Sequence, residues 1–168
     1  MNLPASNGPA VLVFRTERPA HVTVLVDQPQ GRRPRGYQLH GTDGPVVARI
    51  PLGRSKGRTE VGFRTEFRGA RERWQAEVEG PDAIPAFDVH IAGQGFDVVH
   101  YQGEAGPGMA RHRGRGDVVL QVLDGRLAEW ATSAKGRADS DIGFTWPGPG
   151  HYQVRAAGAW ILSRGPDA

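Results

Sequence analysis

The chain reads as an all-β protein: two tandem, pseudo-repeated antiparallel β-sandwich modules with little or no helix. Three observations predict this. Where a pattern is clear, apolar residues alternate with polar ones at a period of two, as in Trp74-Gln75-Ala76-Glu77-Val78-Glu79. Such strands put one face on a core and the other in water. The 168 residues include 24 Gly and 13 Pro, a composition that favours frequent turns over long helices. Third, the same landmarks occur twice. Gly8-Pro9-Ala10-Val11 leads into an apolar run over residues 22–27, and Gly106-Pro107-Gly108-Met109 leads into a similar run over 119–124. Trp74 precedes Gly80-Pro81-Asp82-Ala83 as Trp160 precedes Gly165-Pro166-Asp167-Ala168. Self-similarity at such a period implies one supersecondary plan used more than once.

In chain order, strands are predicted over residues 11–15, 21–27, 46–50, 61–67, 74–79, 87–91, 96–101, 118–123, 127–132, 142–146, 152–156 and 159–163. Residues 28–36 form a basic loop, and residues 68–71 a hairpin turn. Gly93-Gln94-Gly95 predicts a tight hairpin, and Pro147-Gly148-Pro149-Gly150 a turn with preset backbone angles. Residues 127–135 have enough helix formers for two helical turns, but their flanks favour a strand. The modules are residues 1–84 and 85–168, divided at the linker 81–85. Residues 86–101 have no counterpart before Gly8, so one strand of this segment is expected to complete the first module and weld the halves together.

Gly95-Phe96-Asp97-Val98-Val99, Gly106-Pro107-Gly108, Asp117-Val118-Val119-Leu120, Pro149-Gly150-His151-Tyr152 and Ala156-Ala157-Gly158-Ala159-Trp160-Ile161 follow one another in the second half. Through these motifs, residues 95–163 resemble a small β-sandwich domain that recurs in uncharacterised actinobacterial proteins. The resemblance extends more faintly to the first half. It implies a β-sandwich and carries no catalytic residues. Such domains often sit outside the membrane behind a leader or anchor.

Composition removes several chemistries. There is no cysteine, hence no disulfide, thiolate nucleophile or cysteine-ligated zinc. No apolar run reaches the length of a membrane helix, so no membrane insertion is expected. The first eight residues lack the basic and apolar regions of a signal peptide, which predicts a cytoplasmic location, or an extracytoplasmic one if a leader has been removed.

Arg outnumbers Lys 19 to 2 and the net charge is +3. Two clusters, Arg32, Arg33 and Arg35, then Arg111, Arg113 and Arg115, are the candidate anion-binding residues, because guanidinium forks clamp phosphates. With 18 acidic residues interspersed, the plainer reading is a set of solvated loops.

His90, His100 and His112 invite a zinc site, with His90 and His100 facing each other across the predicted hairpin, but no ligand spacing supports it. Asp139 and Asp141, with Asp117 or Asp124, suggest a calcium loop, against an ordinary Asp-rich turn. Ser133, Ser140 and Ser163 lack a nucleophile-elbow context. No metal, cofactor or catalytic residue is therefore assigned. Trp74, Trp146 and Trp160 are expected in cores and Trp130 at the surface.

The expected role is a non-catalytic interaction or structural module, a component of a larger assembly with protein partners recruited at strand edges. Anion or nucleic-acid binding through the Arg loops is the alternative, and an extracytoplasmic ligand- or glycan-binding domain the third.

Overall fold

The structure, a computed structural model, describes residues 2–3, 8–26, 34–40, 44–52, 59–66 and 73–165. Strands of the first half are β1 (Asn2–Leu3), β2 (Ala10–Thr16), β3 (His21–Val26), β4 (Arg35–His40), β5 (Val47–Leu52), β6 (Thr59–Glu66) and β7 (Trp74–Glu79). A 3-10 turn at Pro81–Ala83 leads to β8 (Ala86–Phe87), β9 (His90–Gln94), β10 (Asp97–Tyr101), β11 (Gly106–Gly114) and β12 (Val118–Leu123). The chain continues through β13 (Glu129–Gly136), β14 (Asp141–Trp146), β15 (Gly150–Arg155) and β16 (Gly158–Arg164). They build four sheets, ordered β1-β6-β3-β4, β5-β2-β7, β13-β12-β15-β10-β8 and β14-β11-β16-β9. All pairings are antiparallel except the short β8–β10 ladder.

The ladders nest. In the second half β12 pairs with β13, β11 with β14, β10 with β15 and β9 with β16, so the chain runs out and back as one long ribbon. The ribbon rolls over until β15 meets β12 and β16 meets β11, which gives a jelly-roll sandwich. In the first half β3 pairs with β4, β2 with β5 and β1 with β6. Closure comes from β6 on β3 and β7 on β2. Taken in chain order, β2 to β7 occupy the places that β11 to β16 occupy, and β1 stands where β10 stands. One rung differs. The far side of β16 carries β9, whereas β7 has no pairing partner there among the described residues.

Each sandwich has its own core. Leu12, Phe14, Val24, Leu39, Ile50 and Val61 fill the first, and Val99, Tyr101, Leu120, Trp146, Tyr152 and Trp160 the second. A third cluster of Val11, Val13, Ile84, Val98, Leu123 and Leu127 lies where the sandwiches meet. This explains why residues 10–14 form an unbroken apolar run: Leu12 and Phe14 face one core, while Val11 and Val13 face the neighbouring sandwich. A strand covered on both faces needs no polar alternation. Val98 and Val99 divide in the same way.

Several expectations are corrected. No strand is shared: β8, β9 and β10 all pair within the second half, and what crosses instead is the Phe96 ring, buried in the first core and edge-on to Tyr37 at 5.1 Å. The turn at Gly95 (φ 71°) is a corner between two sheets, since β9 and β10 belong to different ones. Residues 106–114, outside the predicted strands and read at Arg111 and Arg113 as a basic loop, form a central strand. Small residues are required there because a Cβ on Gly108 would lie 2.6 Å from Trp146 Nε1. Pro107 is tolerated because the β16 ladder begins one residue later, at Gly108.

Residues 127–135 yield the strand β13 and no helix. Arg35 and Gly36 lie in β4, inside the expected loop. The expected hairpin at 68–71 lies outside the described residues. At Pro147-Gly148-Pro149-Gly150, the Tyr152 hydroxyl donates to the Gly148 carbonyl at 2.8 Å, and burial pushes its pKa up to about 12, so it remains a donor across the physiological range.

Candidate functional site

Local pairing absorbs most of the charged residues picked out from the sequence. Arg113 donates to Asp141 at 2.8 Å, and Arg111 lies 3.8 Å from the same carboxylate. The Arg113 hydrogen bond holds Asp141 below the usual carboxylate range. Arg35 reaches across to Glu129 of the other sandwich. Arg115 is exposed beside β11, and Arg32 and Arg33 lie outside the described residues. Of the four described arginines, Arg35 thus goes to Glu129, while Arg111 and Arg113 share Asp141. Exposed ion pairs in water are weak, so Asp141 partly neutralises Arg111 and Arg113 without locking them away.

The histidines are dispersed too. His90 is on β9 and His100 on β10, in different sheets. His112 is fully buried on β11, with Nδ1 3.4 Å from the Arg137 carbonyl and Nε2 without a partner among the described residues. Among the described residues no three His, Asp or Glu side chains form a group that could hold a metal. The aspartates organise backbone or pair with cations: Asp124 accepts from Arg126 and Ala128 amides, Asp139 from the Gly114 amide, and Asp117 pairs with Lys135 at 3.6 Å. Ser140 donates to the Arg137 carbonyl, and Ser133 lies 3.5 Å from the Thr145 carbonyl.

His100 meets His151 instead. The two sit opposite each other on β10 and β15, with rings stacked at 4.6 Å. Burial, and secondarily the neighbouring His100, lowers the His151 pKa from the ordinary 6.5. The unfolded chain therefore binds more protons than the folded one near that pH, and stability rises with pH there. Stability should be complete above pH 6.5 and fall as pH drops below it. Urea titrations at several pH values check this, and the slope should shrink in His151→Gln. An unchanged slope in that variant would show that other groups carry the dependence.

On β7 two large apolar side chains are partly exposed. Its inward residues are Trp74, Ala76 and Val78, opposite Thr16, Phe14 and Leu12 of β2. Trp74 stacks with Phe63 at 4.9 Å and Phe14 at 5.8 Å. Yet Trp74 remains 43% exposed and Val78 44%, and among the described residues no strand continues the sheet beyond them. The expectation that Trp74 is core is corrected: its face is right, but among the described residues no strand covers it. In the second sandwich β9 supplies that cover, and Trp160 is buried with Nε1 donating to the Gly95 carbonyl at 2.9 Å. On the outward side of β7, Glu77 and Glu79 share Arg15 at 3.9 and 3.7 Å. Trp146 is buried as expected, and Trp130 is 79% exposed on β13. Alternation along residues 74–79 gave the facing of these side chains; the absence of a neighbour had no local signal.

Among the described residues no helix is long and apolar enough to cross a membrane. No protein-family model matches this chain, and no curated protein matches it.

Proposed function

We propose that the protein is a non-catalytic interaction module, one sheet plan used twice, in which the first copy keeps an edge open for a partner strand. The carrying observation is the difference between the two corresponding edges: β16 is covered by β9, while β7 leaves Trp74 and Val78 partly in water. An unpaired strand edge offers a row of backbone donors and acceptors, and an extended segment adds to it antiparallel. The Trp74 ring on Phe63 and Phe14 is a rigid aromatic anchor of the type that dominates binding energy. Inward positions of the partner segment would be apolar, to cover Trp74 and Val78. Outward positions would be Lys or Arg, opposite Glu77 and Glu79.

The test uses short synthetic peptides that alternate Val with Lys, followed by Trp fluorescence and by amide exchange of β7. Binding should protect the β7 amides, and Val78→Lys should weaken it at least about tenfold, since an inward charge blocks strand addition. Scrambled peptides that bind equally well, or unprotected β7 amides, would end this reading.

A further inference from the structure

A separate cleft of about 560 Å³ lies between the sandwiches. Thr23, Gly36, Tyr37 and Gln38 line it from the first half, and Phe96, Asp117, Val119, Arg155, Ala156 and Ala157 from the second. A volume of this order suits a small organic ligand.

Two donors in this cleft have no assigned work. The Tyr37 ring is buried, fixed edge-on against Phe96 and under the Arg35 guanidinium at 5.4 Å. Its hydroxyl has no hydrogen-bond partner among the described residues. Arg155, exposed at the end of β15, makes no ion pair among the described residues, unlike Arg35, Arg49, Arg111, Arg113 and Arg164. The charges of Arg35 and Arg155 both act on the Tyr37 phenol, and Tyr37 and Arg155 line the cleft from opposite sandwiches. The acid in the lining, Asp117, is engaged with Lys135. What remains is the guanidinium of Arg155 and the phenol of Tyr37, in a lining that also includes the apolar Phe96, Ala156 and Ala157.

We infer that this cleft binds a small oxyanion carried on an apolar body, a carboxylate or phosphate monoester, with Arg155 gripping the anion and Tyr37 donating to it. A guanidinium fork fits either group, and charge-assisted bonds of this type are the strong ones. Phe96 and the paired alanines take the apolar part. Because Phe96 belongs to the first core while Ala156 and Ala157 follow β15 of the second half, the ligand would bridge both sandwiches. This site is independent of the β7 edge.

The experiment titrates the full chain with benzoate and, in a second arm, phenyl phosphate, following amide shifts of Gly36, Ala156 and Ala157 by NMR. Saturable binding in at least one arm is expected, and the stronger arm names the anion. Arg155→Ala should weaken it tenfold or more and Tyr37→Phe about fivefold, both in folded protein. Arg113→Ala, which removes an exposed arginine elsewhere, should leave it unchanged. The site is refuted by the absence of saturation in both arms, by an unaltered titration in Arg155→Ala, or by an equal loss in Arg113→Ala.

Discussion

Replacing Trp160 with alanine is expected to cost about 3–5 kcal/mol, the range for deleting a buried aromatic. The indole is 2% exposed, and its N–H is bonded to Gly95. Its ring lies so close to Gly93 that a Cβ there would sit 2.2 Å away, so β9 was shaped around it. Few neighbours are free to collapse into the space. At about 3 °C per kcal/mol for a chain of this size, the melting point should drop on the order of 10 °C. Trp160→Phe should cost roughly 1–2 kcal/mol, for a lost hydrogen bond and part of the volume. Trp74→Ala, on the corresponding strand, should cost only about 1–2 kcal/mol because much of its ring is already in water. Thermal denaturation of the three variants gives the order. If Trp74→Ala proved as damaging as Trp160→Ala, β7 would have to be covered in solution.

Loss of Arg49 should be comparably severe, at about 3–5 kcal/mol, because it strands a buried carboxylate. Arg49 on β5 contacts Asp97 on β10 at 2.9 Å, with side chains only 20% and 13% exposed. Its Nε also donates to the Ala83 carbonyl in the connecting segment at 3.0 Å. Burial pushes the Asp97 carboxyl up, against the pull of Arg49 and the Val98 amide. The carboxylate is thus an unfavourable group that its partners make tolerable. In Arg49→Met that compensation goes. Protonation of Asp97 then relieves the strain, so the variant should recover part of its stability on acidification. Arg49→Met with Asp97→Val should restore most of the loss, since two apolar residues have no charge to desolvate. Urea denaturation checks the cycle. A double variant as unstable as the single would mean that the damage came from lost packing between the sandwiches.

Much of the fold was legible because side-chain alternation is a local property. The residues of β7, β12, β14 and β16 announced themselves by period or by apolar run, and the turn at Pro147–Gly150 by its backbone chemistry. Two of the longer strands did not. Residues 106–114 carry Gly, Pro and Arg where strands are usually β-branched, and at Gly108 Trp146 and Phe144 already fill the space that a larger side chain would take. Residues 35–40 were hidden behind the basic run before them, and among their described side chains only Tyr37 and Leu39 are buried.

The candidate sites were less legible than the fold. Tyr37 and Arg155 lie far apart in sequence and meet only across the cleft between sandwiches. The arginines that looked most available from their clustering are those that β11 pairs with Asp141.

The amino-acid sequence by itself determined that this chain forms sheets, which way most strand faces point, and where the chain turns. A period of two and the angles of Gly and Pro act within a few residues. Tertiary structure alone decided which strands become neighbours, which edge stays open, and which charges meet. Those outcomes depend on ladders and packing between residues distant in sequence, as when Arg49 finds Asp97, and no short stretch of chain encodes them.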